Sequence, residues 1–264
     1  MPEGHTIHGC ARDHTRFFGG QVVRVSSPQG RFAEGAAALD GTVFLRASAH
    51  GKHLFHEFEG GRYVHVHLGL YGEFRKHDTS QLPEPRPTVR MRTIGKEVAT
   101  DLIGATACEL VGRAGVDAIL DRLGPDPIKA RQDPGRAYAR LLRSRSTIGQ
   151  ALMDQSVIAG VGNVYRAELL HVHRIHPERP AKSISPEEWQ SMWDTLVRWL
   201  RQAVKDQVII TVDPRDYGKR RSRIGRGEAL HVYRREQCWT CSEPVRRWDL
   251  AGRWAYACEA CQPR

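Results

Sequence analysis

Two Cys-x-x-Cys pairs near the C-terminus constrain this chain more than any other feature. Cys238 and Cys241 form the first pair, and Cys258 and Cys261 form the second, with the 16 residues 242–257 between them. This spacing is typical of a structural Zn²⁺ site with four thiolate ligands, two from each of two tight turns. Two disulfides are the alternative, which fits a reducing compartment poorly. The predicted β-hairpin between the pairs is too small to fold alone, so metal binding is expected to stabilise it.

The charge of the chain favours a polyanionic partner. Among 264 residues, 40 are Lys or Arg and 30 are Asp or Glu, a formal net charge of +10. Nucleic acid is the first candidate partner, an anionic membrane surface the second, and a merely basic soluble protein the third. No run of about 18 apolar residues predicts a membrane span, and the polar N-terminus does not resemble a secretion signal. The expected location is therefore the cytoplasm, on the nucleoid when DNA is bound.

The first half of the chain is predicted to be a helix followed by strands. Residues 3–19 have apolar side chains at helical spacing, whereas residues 21–101 form short alternating segments. Within 64–68, valine and leucine alternate with histidine, which is typical of a half-buried antiparallel strand. The predicted strands cover 22–25, 42–45, 52–58, 62–68, 88–93 and 97–100. Six or more such strands indicate a β-sandwich or a flattened barrel.

The second half is predicted to be helical. Residues 122–135 are rich in proline and aspartate and are predicted to link the halves. Ser185 opens a long helix with a capping box and a proline at its first position. Three tryptophans lie on one stripe of that helix, and core packing is favoured for them over base stacking. The other predicted helices cover 138–144, 148–157 and 164–174.

The N-terminus, Met1-Pro2-Glu3, offers a nucleophile. Removal of Met1 would leave Pro2 as a secondary amine beside a carboxylate, and an α-amino group titrates near ~8. Many chains begin with Met-Pro for no catalytic reason, so this feature is weak by itself. With Met1 attached, the Pro2 nitrogen is a tertiary amide without nucleophilicity, and the sequence as written is then a precursor.

Each of three further segments has a functional interpretation and an ordinary structural one. Lys52 lies between two strands and could reach across a cleft, or be a solvated lysine. Leu70 and Tyr71 lie between glycines, where they could wedge into a base stack or be buried at the sandwich edge. Asn163 follows a glycine-rich turn that could bind phosphate at a helix N-terminus, although such turns are common. The His-x-His pairs at 65/67 and 171/173 are interpreted as ordinary histidines rather than metal ligands.

Together these residues resemble the formamidopyrimidine-DNA glycosylase/endonuclease VIII family of DNA repair enzymes. The matching segments occur in family order along nearly the whole chain. They are PEG at 2–4, GKHL at 51–54, HLGLYG at 67–72, LGPDP at 123–127, LMDQSVIAGVGNVYRAELL at 152–170, VYRREQCWTC at 232–241 and GRWAYACEACQ at 252–262.

The resemblance implies an α+β architecture. An N-terminal antiparallel β-sandwich flanked by an N-terminal helix would occupy 1–122, followed by a linker at 123–135. A helical DNA-binding domain with a helix–two-turn–helix would occupy 136–230, and a β-hairpin zinc finger 231–264. The resemblance places double-stranded DNA with an oxidised or abasic site in the cleft between the two domains of a monomeric enzyme.

The resemblance also implies a mechanism. Pro2 would attack C1′ of the damaged nucleotide, displace the base and form an iminium, an electron sink for elimination. Glu3 would act as the general acid/base near the sugar oxygen, and Lys52 would bind phosphate and assist proton transfer. Loss of the 3′ and then the 5′ phosphate completes a β,δ-elimination.

The resemblance assigns the DNA contacts as well. Leu70 and Tyr71 match the loop that fills the gap left by the everted base. Asn163 and Arg253 would grip the phosphates flanking the lesion. Glu168, grouped with these residues, matches a family acid near the amine.

The substrate is expected to be an oxidised pyrimidine. Gly4, Leu70 and Tyr71 resemble the endonuclease VIII branch of actinobacterial type, whereas the 8-oxoguanine branch usually has leucine at the fourth position and methionine in the wedge loop. Two departures weaken the resemblance. Thr6 replaces a second glutamate found in many members, and residues 99–107 lack the Arg-Phe pair that contacts the opposite base.

Three alternatives remain at the level of sequence. The chain could prefer 8-oxoguanine and formamidopyrimidines. It could be a non-catalytic DNA-binding paralogue, although the proposed catalytic residues are present. It could also be a zinc-ribbon RNA-binding or scaffold protein, which explains the charge and the cysteines but not the PEG start.

Overall fold

The computed structural model describes residues 2–225 and 227–264. The chain divides into two compact units between Arg122 and Leu123. Residues 123–135, which we expect to join the halves, pack within the second unit. There the Gly124 amide donates to the Gln155 carbonyl at 2.8 Å, and the Asp126 side chain is fully buried. Within these described residues, every helix is too short or too polar to cross a lipid bilayer.

The first unit combines an antiparallel sheet with three flanking helical segments. The helices are α1 (Gly4–Phe18), α2 (Ala33–Leu39) and α3 (Arg113–Asp121), with short 3-10 turns at Glu59–Gly61 and Thr79–Gln81. The strands are β1 (Gln21–Ser26), β2 (Thr42–His50), β3 (His53–Phe58), β4 (Arg62–His67), β5 (Glu73–Asp78), β6 (Val89–Ile94), β7 (Val98–Ile103) and β8 (Ala107–Gly112).

The sheet folds into a sandwich at β1. Its strand order is β5-β7-β6-β1-β2-β3-β4-β8, with antiparallel neighbours throughout. The first half of β1, residues 21–23, pairs with β2, whereas residues 24–26 pair with β6. A strand that changes partners midway makes a corner between two layers. The predicted antiparallel β-sandwich with an N-terminal helix is therefore confirmed.

The apolar side of α1 closes the core of this sandwich. Phe18 from the helix meets Phe44 from β2 at 5.6 Å between ring centroids, and both side chains are fully buried. A pair of histidines lies in the same core: His14 Nδ1 and His56 Nε2 are 2.9 Å apart, and both residues are buried.

Four elements of the first unit were not predicted from the sequence. They are α2, α3 and the strands β5 and β8. The β5 sequence, EFRKHD, is strongly charged because β5 is an edge strand with mostly exposed side chains. Its order comes from pairing with β7, which a local pattern of hydrophobicity does not reveal.

The second unit is mainly helical. Its helices are α4 (Pro134–Arg143), α5 (Ile148–Ala151), α6 (Asn163–Val172) and α7 (Pro186–Asp206), with 3-10 turns at Ala181–Ser183, Pro214–Tyr217 and Arg221–Arg223. The helix predicted over 148–157 ends early, at Ala151. Asp154 explains this end, because its side chain accepts the Ser156 amide at 2.8 Å and starts a turn instead. Two successive turns then lead into α6.

The long helix α7 is confirmed with its predicted start. Ser185 and Glu188 form the capping box, and Pro186 occupies the first helical position. The stripe that contains Trp189, Trp193 and Trp199 is buried against the other helices of this unit. The tryptophans are therefore core residues, as the periodicity predicted.

The C-terminal hairpin consists of β9 (Arg246–Asp249) and β10 (Trp254–Ala257). Ala251 and Gly252 join the strands, both with positive φ angles of 54° and 75°. Two consecutive positive φ values are characteristic of a type I′ hairpin turn, which glycine favours. The predicted turn at these two residues is confirmed.

Candidate active site and nucleic-acid interface

The N-terminus of α1 lies at the same end of the first unit as the β2–β3 turn. The Gly20 amide donates to the Phe44 carbonyl at 2.8 Å, and the Thr15 hydroxyl donates to the Ala47 carbonyl at 3.2 Å. Residue numbers therefore rise along β2 in the direction in which they fall along α1, so the two elements are antiparallel. This alignment brings the start of α1 towards the turn that contains Lys52.

The two N-terminal site residues have different exposures. Glu3 is the N-cap of α1; its carbonyl accepts the Thr6 amide at 2.9 Å, and its side chain is fully buried. A carboxylate at a helix N-terminus is stabilised by the helix dipole. Pro2 is half-buried. Burial lowers the pKa of neighbouring His5 to about 4, so His5 is neutral at physiological pH.

Lys52 lies in the β2–β3 turn beside two histidines. The register pairs His53 with His67, so the turn lies next to the end of β4. Burial, the neighbouring His65 and the positive charge of Lys52 lower the pKa of His67. Lys52 and a neutral His67 thus present hydrogen-bond donors at one end of the sheet.

A hydrogen-bonded chain behind these residues was missed from the sequence. His53 Nδ1 lies 2.9 Å from His65 Nε2, and His65 Nδ1 lies 2.7 Å from a carboxylate oxygen of Glu109. Because the carboxylate accepts, His65 carries its proton on Nδ1 and accepts from His53 with Nε2. Burial, the neighbouring His67 and His65 rings and the charge of Arg122 lower the pKa of His53 to about 3. These two hydrogen bonds fix the orientation of the His53 and His65 rings.

The loop after β4 exposes its apolar pair. Leu70 is 43% exposed and Tyr71 is 87% exposed, which excludes burial at the sandwich edge. The Gly72 amide donates to the Leu68 carbonyl at 2.9 Å and closes the loop. A side chain at Gly72 would come within 2.3 Å of that carbonyl oxygen, so glycine is required there. The loop therefore displays an aliphatic and an aromatic side chain in a defined turn.

In the second unit, α6 starts at Asn163 after the glycine-rich turn. Asn163 is almost completely buried: its side-chain amide donates to the Trp254 carbonyl at 3.0 Å, and its side-chain oxygen accepts from Arg166. Arg166 is itself buried and donates to the Trp254 carbonyl at 2.7 Å. These bonds join α6 to β10, directly after the exposed Arg253. Arg166 was not singled out from the sequence.

Glu168 is a buried structural acceptor. One carboxylate oxygen accepts the amides of Val232 and Tyr233 at 2.9 and 2.8 Å. The other accepts the amide of His231 at 2.7 Å and the hydroxyl of Thr211 at 2.5 Å. Burial alone raises the pKa of Glu168, but these bonds and the His231 ring lower it below its usual value. The DNA-binding role stays a prediction, because the carboxylate is fully buried here and connects α6 to two following segments.

The four cysteines of the two knuckles form one cluster. Their sulfur atoms all lie within 4.8 Å of one another, with Cys241 3.4 Å from both Cys258 and Cys261. A tetrahedral zinc ion with Zn–S bonds of about 2.3 Å needs sulfur atoms about 3.8 Å apart. The cluster therefore fits one metal ion with four thiolate ligands. In the described part of the chain, it is the one group of metal-ligating side chains found at such distances.

Two side chains hold the cysteine cluster against α6 and the segment that directly follows it. Gln262 is fully buried; its side-chain oxygen accepts the Cys258 amide at 3.1 Å, and its amide group donates to the Ile175 carbonyl at 2.8 Å. His171 lies 2.9 Å from the Thr240 hydroxyl within the first knuckle. His171 therefore packs against the first knuckle.

The arrangement of a helix-led sandwich, a helix–two-turn–helix and a four-cysteine hairpin defines a class of DNA glycosylases. A family model described as the formamidopyrimidine-DNA glycosylase N-terminal domain matches residues 1–101. A second, described as the formamidopyrimidine-DNA glycosylase H2TH domain, matches residues 123–213.

Similar proteins identify the family. "Endonuclease 8 1" of Mycobacterium tuberculosis is 48% identical over 99% of this chain and 100% of its own length. "Formamidopyrimidine-DNA glycosylase" of Thermomicrobium roseum is 31% identical over 81% of this chain and 79% of its own. The chain belongs to the formamidopyrimidine-DNA glycosylase/endonuclease 8 family of DNA repair glycosylases.

A solved structure shows the same fold. The Fpg protein of Lactococcus lactis, in a complex with DNA that contains an abasic site, aligns with a TM-score of 0.80 at 20% sequence identity. The alignment covers 99% of this chain and 100% of that one.

Proposed function

We propose that this chain is a bifunctional DNA glycosylase and AP lyase of base excision repair. It removes oxidised bases and prefers oxidised pyrimidines. Family membership supports glycosylase chemistry on damaged DNA. The observation that favours catalysis by this chain is the antiparallel packing of α1 on β2, which brings the N-terminal Pro2-Glu3 segment towards the turn that contains Lys52.

In the proposed reaction the Pro2 amine is the nucleophile. It attacks C1′ of the damaged nucleotide, and the base leaves with a proton. The amine nitrogen loses its proton, and the bond from C1′ to the ring oxygen then breaks as that oxygen is protonated, so that the nitrogen and C1′ form an iminium. The iminium acidifies the sugar carbon next to C1′, so that carbon loses a proton while the 3′ phosphate leaves. A second elimination releases the 5′ phosphate. Removal of Met1 is required first, because an acylated proline nitrogen has no lone pair available for attack.

Two residues handle protons and phosphate in this scheme. Glu3 is the proposed general acid/base near the sugar ring oxygen, and its burial supports a fixed position. Lys52 is proposed to bind a phosphate and assist proton transfer, with His67 beside it as a second donor. The hydrogen-bonded chain of His53, His65 and Glu109 supports that end of the sheet.

The proposed DNA contacts come from both units. Leu70 and Tyr71 are proposed to fill the space left by the everted base, which their exposure supports. Asn163 and Arg253 are proposed to bind the phosphates that flank the lesion, and Glu168 to support them by fixing α6. When DNA is bound, the side-chain NH₂ group of Asn163 must then turn from the Trp254 carbonyl towards the phosphate.

The metal in this proposal is one structural zinc ion. Zinc would be held by all four cysteines and would supply folding free energy to the hairpin, with no open position for substrate. Because Arg253 lies in the turn of this hairpin, correct placement of that arginine depends on the metal.

The preference for oxidised pyrimidines is supported by Gly4 and the Leu70-Tyr71 pair, which resemble the endonuclease VIII branch. The alternative is a preference for 8-oxoguanine and formamidopyrimidines. Comparing excision of thymine glycol, 5,6-dihydrouracil and 8-oxoguanine in one duplex sequence separates the two, since faster excision of 8-oxoguanine would support the alternative.

The test of the mechanism is borohydride trapping on duplex DNA that contains thymine glycol or an abasic site. Wild-type protein is expected to form a covalent adduct, while Pro2→Gly and Glu3→Gln lose it. Lys52→Gln is expected to trap slowly, and Lys96→Gln, which removes an exposed lysine of the same unit, serves as the matched control. Absence of an adduct from the wild-type protein on both substrates would refute the enzymatic proposal.

A further inference from the structure

A groove on the zinc hairpin combines an exposed indole with arginines. The groove has a volume of about 550 Å³. We call it the Trp254 groove. Besides Trp254, its lining includes Arg234, Arg235, Val245, Arg247 and Tyr256. Glu236 is the one acidic side chain in that lining, so three arginines face one carboxylate and the groove is positively charged.

Trp254 contributes an exposed indole to the lining of this groove. Its side chain is 50% exposed, although exposing an indole to water is unfavourable. The Arg247 guanidinium lies 4.6 Å from the centroid of its ring, a cation–π contact. Arg247 pairs with Tyr256 in the hairpin, and Tyr256 lies two residues after Trp254, so the three side chains share one face.

Hydrogen bonds from α6 hold the backbone at Trp254 in place. The Trp254 carbonyl accepts hydrogen bonds from Asn163 at 3.0 Å and from the buried Arg166 at 2.7 Å. These bonds use the backbone and leave the indole side chain facing the groove. A contact surface that is ordered before the ligand arrives loses little conformational entropy on binding.

The arginines of the groove have two roles. Arg235 donates to the carbonyls of Gly227 and Leu230 at 2.7 and 3.1 Å, and so shapes one wall while keeping its charge. Arg234 is exposed and has a φ of +57°, a left-handed backbone conformation that costs free energy for a residue other than glycine. This conformation turns the backbone at Arg234, where the residue lines the groove.

An indole next to cations matches the chemistry of one nucleotide. Bases stack on aromatic rings with little regard to their identity, and arginines pair with phosphate. A base in a regular duplex has both faces covered by its neighbours, so Trp254 needs a base that is unstacked. We propose that the Trp254 groove binds an unpaired nucleotide of the DNA, with the base on Trp254 and its phosphate between Arg234 and Arg247.

This inference rests on the proposed function, because the phosphates assigned to Asn163 and Arg253 bring DNA next to the groove. It adds a substrate feature: DNA in which a nucleotide near the lesion is unpaired. The proposed catalytic residues lie in the other unit and are not used in it.

The experiment measures the affinity of the zinc-loaded full chain for two DNA molecules. Both contain the same abasic-site analogue; one is fully paired, and the other has a few mismatched nucleotides beside the site. Wild-type protein is expected to prefer the mismatched DNA. Trp254→Ala should lower that preference by about fivefold or more, and Trp254→Phe should retain most of it. Leu142→Ala, which truncates another exposed apolar side chain of this unit, is the control.

Two further readouts identify the contacts. A 2-aminopurine at the mismatched position should change its fluorescence on binding to wild-type protein and not to Trp254→Ala. Arg247→Gln should lower the slope of log affinity against log salt by about one for the mismatched DNA, since one phosphate contact is lost.

Several outcomes would overturn the inference. Equal preference in wild-type protein and Trp254→Ala excludes stacking on the indole. Equal loss on both DNA molecules indicates a duplex contact instead. If sedimentation shows that wild-type protein dimerises and Trp254→Ala does not, the groove binds a second copy. Borohydride trapping by wild-type protein on paired abasic DNA tests the proposed function separately, so either idea can fail while the other stands.

Discussion

Replacing Glu168 by glutamine is expected to destabilise the second unit strongly, although the two side chains have the same shape. The carboxylate accepts three backbone amides, of His231, Val232 and Tyr233, and one hydroxyl, of Thr211. The oxygen that accepts the His231 amide also lies 3.0 Å from Nδ1 of the His231 ring. Glutamine has one oxygen and one NH₂ group, so it can accept on one side only. The NH₂ group must face donors on the other side.

The better orientation of the glutamine sets the size of the effect. If NH₂ faces Val232 and Tyr233, two amides that cannot rotate lose their acceptor. If it faces His231, one amide loses its acceptor, while the Thr211 hydroxyl can turn to the Ala229 carbonyl 3.3 Å away. One buried unsatisfied donor costs about 1–3 kcal/mol, and the remaining bonds lose their charge assistance. The expected loss is therefore about 2–4 kcal/mol, a large part of the free energy of unfolding of a typical domain.

Urea unfolding of the zinc-loaded protein, followed by circular dichroism and tryptophan fluorescence, measures this loss. Glu187→Gln is the matched control, because Glu187 is exposed on α7, and its effect should stay within about 0.5 kcal/mol. DNA binding and borohydride trapping are measured below the unfolding transition of each variant.

Unchanged stability of Glu168→Gln would refute the reasoning. If stability is unchanged while trapping is lost, Glu168 acts at the site of the amine, near which the family resemblance places an acid. If stability falls and the folded protein still traps DNA, the role of Glu168 is to stabilise the fold.

Three other perturbations test separate parts of the molecule. Burial lowers the pKa of His14 to about 4 and that of His56 well below its usual value, so unfolding takes up protons below pH 6.5. The stability from His14 alone is present above that pH and should fall by roughly 3 kcal/mol towards pH 4, which urea unfolding across pH measures; a flat profile contradicts it. Cys241→Ser should lower zinc content, DNA binding and strand cleavage together, and unchanged cleavage by the metal-free variant would contradict the structural role. Gly69→Ala should distort the wedge loop and slow trapping, because Gly69 has a φ of +67° and an added Cβ would meet Thr106 at 2.4 Å; unaltered trapping kinetics would argue against the role of the loop.

Local signals in the sequence were sufficient for several elements. The capping box at Ser185, the turn at Ala251-Gly252 and the spacing of the four cysteines each depend on residues close together in the chain. Their geometry is decided by backbone dihedral preferences and short loops, which act over a few residues. These predictions needed no knowledge of distant partners.

Local signals failed where distant partners decide the structure. The edge strand β5 is charged and becomes a strand by pairing with β7. The predicted helix over 148–157 ends at Ala151 because Asp154 caps a following turn, and helical periodicity alone does not detect such competition. Burial of Leu70 and Tyr71 was equally compatible with their sequence, and the turn closed by Gly72 settles their exposure.

The sequence by itself determined the family, the fold class, the four cysteines that form one cluster and the residues proposed for catalysis, because each belongs to a motif with a characteristic local order. Only the tertiary structure decided that Glu168 is a buried acceptor, that His53, His65 and Glu109 form one chain, and that Trp254 is exposed above Arg166 and Asn163. Hydrogen-bond partners separated by tens of residues are chosen by packing of the whole unit. That choice leaves no periodic signal in the amino-acid sequence.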